Sequence, residues 1–112
     1  MQVRAIARNT GVSASKIRPL VDLVRGKPVE EALSLLRFAP SPNARIVAKA
    51  VKSAVANAEN NYQMSASNLK IVAIFADEAP TLRRYRAAAR RRVHPIRRRS
   101  SHITVIVDEQ EA

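Results

Sequence analysis

Between Arg83 and Arg99 the chain reads RRYRAAARRRVHPIRRR: nine arginines, no lysine and no acid in seventeen residues. Charges of one sign at this density cannot enter an apolar core, because a guanidinium without a partner is too costly to desolvate. The core has to be built from the residues on either side. The formal net charge is +11, and outside this segment eleven Lys or Arg face nine Asp or Glu. The positive charge is therefore local, and it points to one polyanion-binding region.

Both flanks of this segment read as strands. Leu69, Ile71, Ala73 and Phe75 alternate with Lys70, Val72, Ile74 and Ala76; both faces are largely apolar, which predicts a central strand. Ile103, Val105 and Val107 alternate with Thr104 and Ile106 in the same way. The economical reading is an antiparallel pair joined by a long excursion from Pro80 to Ser101, and loops of that length in small domains are usually functional or disordered. Paired as a ribbon, two arms of about 11 residues at roughly 3.3 Å each would reach some 35 Å from the body. An isolated two-stranded ribbon is marginal in water, so such an arm is expected to be ordered only against a partner.

The rest of the chain supplies a modest body. A length of 112 residues is one domain's worth, and 46% hydrophobic content with two Phe, two Tyr and no Trp makes its core aliphatic and alanine-rich. Val3, Ala5 and Ala7 alternate with Gln2, Arg4, Ile6 and Arg8 as a short strand with one wetter face. Ile17, Leu20, Val21 and Val24 form a helical stripe capped by Ser13 or Ser15 and stopped by Gly26. Pro19 requires that this helix begin late, near Ser15, or bend. Pro28 suits a first helical position before Val29, Ala32, Leu33 and Leu36, with Glu30 and Glu31 favoured at the positive helix end. Ser41 and Pro42 open a third helix whose stripe runs from Ile46 to Ala58, about 18 residues and about 27 Å. Asn60 to Asn68 reads as a polar connector, and Asp108 to Ala112 as an acidic tail with no evident reason to be ordered.

Within the arm, arginine supplies a planar five-donor fork for phosphate oxygens and can stack on exposed bases. Tyr85, Val93, Ile96 and Ala87 to Ala89 lie between the charges, a mixture suited to the irregular surface of folded RNA. A solvated basic segment is the plainer alternative. A DNA-binding helix over Arg83 to Arg92, ended by Pro95, is another, although no zipper, helix-turn-helix or zinc finger accompanies it. Among the other cations, Arg8, Lys16 and Arg18 bracket a strand-to-helix turn whose free amides would help hold a phosphate, and Arg25 and Lys27 follow. Arg45, Lys49 and Lys52 on the third helix read singly as solvated charges.

Chemistry of other kinds has little support. His94 and His102 are eight residues apart without a nearby carboxylate, and cysteine is absent, so neither a metal-ligand spacing nor a base with an orienting partner is present. Glu30, Glu31, Asp77 and Glu78 are explained by element ends, and two glycines make no phosphate loop. The expectation is no catalytic residue, no cofactor, no metal and no small-molecule substrate. No apolar run approaches a membrane span and the start lacks the apolar core of a signal peptide, so a cytoplasmic protein with no processed segment and no membrane partner is expected.

Three stretches carry a family resemblance: KIRPLVDLVRGKPVEEAL at Lys16 to Leu33, KSAVANAENN at Lys52 to Asn61, and the run from Asp77 through APTLRRYR to RRRSSHITVIV ending at Val107. In order and spacing the chain resembles the bacterial large-subunit ribosomal protein twenty-two family along nearly its full length. The resemblance implies an α+β fold, three helices packed on a three-stranded, mostly antiparallel sheet, with a long arginine-rich β-hairpin. It implies a non-catalytic, ribosome-bound protein that binds 23S rRNA, aids subunit assembly and lines the nascent-peptide exit tunnel with its hairpin. Its partners would be large-subunit rRNA, neighbouring large-subunit proteins and the passing nascent peptide.

By position, the resemblance makes Leu82 to Arg86 and Ile96 to Arg99 the RNA-contacting arms of the hairpin; with the body cations, the expected rRNA contacts are Arg8, Lys16, Arg18, Arg25, Lys27, Arg83, Arg84, Tyr85, Arg86, Arg97, Arg98, Arg99, Ser101 and His102. Arg90, Arg91, Arg92, Val93 and His94 would be the tunnel-proximal tip. The chain departs from the family pattern at Pro19, Ala79, Ala87, Ala88, Arg91 and His94-Pro95. The reading is one domain over 1–112: a body of 1–79 and 101–109, a hairpin arm of 80–100 and a tail of 108–112. A DNA-compacting or regulatory protein and an RNA-processing enzyme are the rival classes.

Overall fold

In the computed structural model, which describes the backbone of residues 2–87 and 93–110 and the side chains of 2–81 and 99–110, the first period-two stretch is strand β1, Val3–Ala7. It buries Val3 and Ala5 and exposes Arg4 and Ile6. Helix α1, Ala14–Val24, follows a turn and buries the expected stripe of Ile17, Leu20, Val21 and Val24. It starts at Ala14, one residue from the late start expected near Ser15, and runs on through Pro19. Pro19 cannot donate to the carbonyl four residues back, that of Ser15; both residues lie on the exposed side, where water can take up the freed acceptor. Ser13 is the N-cap by position but makes no side-chain capping bond, its hydroxyl lying 3.3 Å from that of Ser15. Gly26, at φ +75°, turns the chain out of the helix in a conformation costly for any residue with a Cβ.

Helix α2, Val29–Phe38, begins one residue after Pro28 and buries Val29, Ala32 and Leu36. Helix α3, Ala44–Tyr62, starts after Asn43 and ends at a left-handed Gln63. Ser41 accepts the Asn43 amide at 3.3 Å just ahead of it. Ala50, Ala54 and Ala58 are each no more than 3% exposed, so the backbone of α3 lies close against the sheet. The polar connector expected from Asn60 to Asn68 is partly helical: α3 claims its first residues and Ala66–Asn68 forms a 3-10 turn.

Two long strands complete the fold, β2 over Leu69–Ala87 and β3 over Val93–Glu109. The sheet is antiparallel in the order β1-β3-β2. This corrects the expectation for Leu69 to Ala76: β3 is central, and β2 is an edge. Ile71 and Ile74 face the helices, whereas Val72, at a bulge, and Phe75 lie outward and are 38% and 40% exposed. The two-faced apolar pattern of β2 thus marks a half-wet outer sheet face. There Phe75 and Ile6 flank Thr104, leaving it 8% exposed. The inner face, with Val3, Ala5, Ile103, Val105 and Val107, forms one core with α1, α2 and α3.

The tail also differs from expectation. Lys70 pairs with Asp108 and Leu69 with Glu109, and the Gln110 amide reaches the Asn68 carbonyl at 2.6 Å, so residues 108–110 extend the ladder. At the other end β1 pairs only with Ile103 to Val107, so β2 and β3 continue as a two-stranded ribbon, with Leu82 opposite Arg98 and Ala87 opposite Val93. A register shift between Ala79 and Leu82 accommodates Pro80, which an edge strand tolerates. The long axis measures 67 Å, and the radius of gyration is 17.0 Å against about 13 Å for a compact chain of this length.

Candidate nucleic-acid interface

The ribbon is rooted in the body by a polar seam between the β1–α1 turn and the start of the three-stranded part of β3. The Thr10 amide donates to the Ser101 carbonyl at 3.0 Å, and the two hydroxyls lie 2.7 Å apart. The Gly11 amide donates to the Ser100 hydroxyl and the Asn9 amide to His102 Nδ1, both at 3.0 Å. The Val12 amide turns back to Thr10 Oγ1 at 3.3 Å. Asn9 and Gly11, at φ +53° and +80°, bend the chain to bring these donors into line. Of the amides expected to be free between Arg8 and Lys16, those of Asn9, Thr10 and Gly11 already hold β3 and that of Val12 is turned back onto Thr10.

This placement reassigns two site candidates. Ser101 is fully buried, and its hydroxyl is a pin of the seam, so its side chain presents nothing to a surface ligand. His102 is half-buried and spends Nδ1 on the Asn9 amide, which leaves Nε2 as its outward donor.

A second group of cations lies along the outer edge of β2. Arg18 donates through Nε to the Ala76 carbonyl at 3.4 Å, and Arg25 donates to the Ile74 carbonyl through Nε and Nη2 at 3.3 and 3.0 Å. Arg25 also pairs with Asp22 at 2.7 Å, and Lys27 lies 3.9 Å from Glu31. The Lys27 carbonyl accepts the Ile71 amide at 2.9 Å. Unpaired carbonyls of an edge strand invite another strand, and the guanidinium groups occupy them. Arg18 and Arg25 thus have an internal duty while remaining exposed.

These contacts run α1 antiparallel to β2, with its N-terminal end toward the ribbon. Lys27, Arg25 and Arg18 form a ledge of positive charge that leads to the root. There Lys16 and the exposed Arg99 line one shallow depression, together with Gly11, Val12, Ser13, Pro42 and Asn43. Arg99 also borders a depression between the start of α1 and Glu78, Ala79 and Thr81. Arg8 is exposed immediately after β1. The structure thus joins Lys16 and Arg99, which are far apart in sequence, and sets Arg18, Arg25 and Lys27 in a row behind them.

Arg83, Arg84, Tyr85, Arg86, Arg97 and Arg98 lie in the ribbon strands, as do Val93 and His94, with side chains outside the described set. Arg90, Arg91 and Arg92 lie outside the described residues altogether. The extended backbone through Ala87 excludes a basic helix that begins at Arg83. Among the described residues no helix is long and apolar enough to cross a membrane, and no group of His or acidic residues is placed to hold a metal.

Residues 5–108 match the model of the family described as "Ribosomal protein L22p/L17e". The chain belongs to that family. Among its relatives is "Large ribosomal subunit protein uL22" of Dehalococcoides mccartyi, 61% identical over 107 residues, covering 96% of this chain and 98% of the relative. The protein of the same name from Roseiflexus castenholzii is 49% identical over 111 residues, covering 99% and 98%. L22p/L17e is a family of ribosomal proteins, not of enzymes.

Sequence reasoning missed the seam residues Thr10 and Ser100, because their partners, the Ser101 hydroxyl and the Gly11 amide, lie 91 and 89 residues away and leave no local signal. It also passed over Arg37 and Phe38. Phe38 lies off the buried stripe of α2, and an aromatic off the stripe beside an arginine was a usable sign.

Proposed function

We propose that the protein is a structural constituent of the large ribosomal subunit, in the cytoplasm, that binds 23S rRNA and aids subunit assembly. The arginine arm, residues 80–100, enters folded rRNA and neutralises phosphates there, and its tip forms part of the wall of the nascent-peptide exit tunnel. Arg8, Lys16, Arg18, Arg25, Lys27, Arg99 and His102 extend the contact onto the body, and neighbouring large-subunit proteins and the nascent chain are its further partners. The carrying observation is the ribbon of β2 and β3, which bears the arginine run and is rooted in the body by the seam at Ser101.

Each phosphate met by a guanidinium releases condensed counterions, so affinity depends steeply on salt. Arginine holds phosphate through paired donors and stacks on splayed bases, which fixes the arm in irregular RNA where lysine would only be attracted. The energy for ordering a ribbon that is marginal by itself comes from those contacts.

Filter binding of the full chain to large-subunit rRNA tests this. With six to ten phosphates engaged, affinity falls by about 10³- to 10⁵-fold between about 50 and 200 mM salt. A nearly flat response, or preference for duplex DNA at matched salt, would contradict the proposal and favour a DNA-compacting role.

A further inference from the structure

The most exposed large apolar side chain among the described residues is Phe38, at the end of α2, with 78% of its surface open. It borders an open groove between α2 and α3, with Arg37 on the α2 side and Arg45, Ala48 and Lys52 along α3. The spacing of these three, i, i+3 and i+7, puts them on one face of α3, over about 10 Å. Ala48 keeps the floor between the two cations low. Glu30 is the one acid of the lining, and among the described residues Arg37, Arg45 and Lys52 are in no ion pair. The Arg37 guanidinium lies over the Phe38 ring, 6.0 Å from its centroid.

We infer that this groove is a second RNA contact, separate from the α1 ledge, in which an unpaired base stacks on Phe38 while Arg37, Arg45 and Lys52 hold the adjoining phosphates. The inference rests on the proposed rRNA-binding role and adds a site and a mode of recognition to it. An aromatic face beside unpaired cations is what sequence-tolerant single-strand binding requires: the ring takes any base, and the cations track the backbone. The groove is lined by three cations with a single acid to answer them, and that net positive charge complements a phosphate backbone better than the mixed charges of a protein surface. Arg37 over one ring face adds a cation–π contact and holds the ring in place for a base on the other.

The test uses the full chain with protein-free large-subunit rRNA, and polyphosphate as a polyanion without bases. Phe38→Ala and Phe38→Leu should each weaken rRNA binding about 5- to 150-fold, whereas Phe38→Tyr stays within about twofold. Because the chain holds no tryptophan, Phe38→Trp gives a single reporter, whose emission should be quenched by the rRNA and not by polyphosphate. Phe38 is so exposed that these changes should leave thermal unfolding unchanged, which separates binding from folding. Wild-type affinity in Phe38→Leu, or Phe38→Trp emission that is unquenched at saturating rRNA, would overturn the groove while leaving the arm's role standing. Failure of the wild type to bind the rRNA would remove both.

Discussion

Replacing Ser101 by alanine tests the seam that roots the arm. Ser101 is fully buried, and its hydroxyl lies 2.7 Å from that of Thr10. The substitution removes that bond and opens a void the size of one oxygen, while the backbone bond from the Thr10 amide to the Ser101 carbonyl stays. Thr10 Oγ1 keeps the Val12 carbonyl and amide, both at 3.3 Å, so it is not orphaned. The cost should therefore be that of one net buried hydrogen bond, about 1 kcal/mol, and not the larger penalty of a stranded polar group. In a domain of this size that lowers Tm by roughly 4 °C. Ser100→Ala removes a comparable bond to the Gly11 amide at an exposed position where water replaces it, and should cost less than about 0.5 kcal/mol. Thermal and urea unfolding without RNA, followed by far-UV circular dichroism, gives both values. A cycle of Thr10→Ala with Ser101→Ala should show coupling of about 0.5 kcal/mol or more. Equal Tm values for Ser101→Ala and wild type, or strict additivity in the cycle, would refute the claim that this pair fastens β3 to the β1–α1 turn.

Ile103, central in β3 and fully buried, should lose about 2–5 kcal/mol on change to alanine, measured as a fall in urea midpoint at constant slope. Gly26→Ala should cost about 1–2 kcal/mol from backbone strain alone, since an added Cβ would meet nothing within 4 Å; Gly26→Asn should recover part of it. Arg25→Ala should cost about 1 kcal/mol through the Ile74 carbonyl and little through the Asp22 pair, whose side chains are 49% and 64% exposed. The same variant should lower the salt slope of rRNA binding by about one as its phosphate contact is lost.

The helices were legible because their stripes are strong: Ile17, Leu20, Val21 and Val24 could face only one way, and Gly26 ends α1 where its sequence position indicates. The strands were legible by period, but not by rank in the sheet. Val72 and Phe75 made β2 read as buried on both faces, when a bulge and an open outer face account for them. Pro19 pointed to a helix start near Ser15, and α1 begins at Ala14. The acidic tail looked disposable because its order comes from Asn68, Leu69 and Lys70, some 40 residues away.

The candidate site divides in the same way. Composition located the arginine arm, since charge density needs no contacts to be seen. It did not reveal that Ser101 lies beneath the surface, or that Arg18 and Arg25 also cap β2, because both follow from tertiary contacts between α1 and the sheet. The amides beside Arg8 looked available for phosphate for want of the partner strand that occupies them.

The most direct test of the arm-bearing, RNA-organising role is co-sedimentation of the purified full chain with isolated ribosomal subunits lacking it, through a sucrose gradient at physiological salt. The account predicts stoichiometric recovery with the large subunit, little with the small subunit, and displacement by free large-subunit rRNA but not by an equal mass of duplex DNA. Protein left at the top of the gradient, or shared equally between the two subunits, would contradict it.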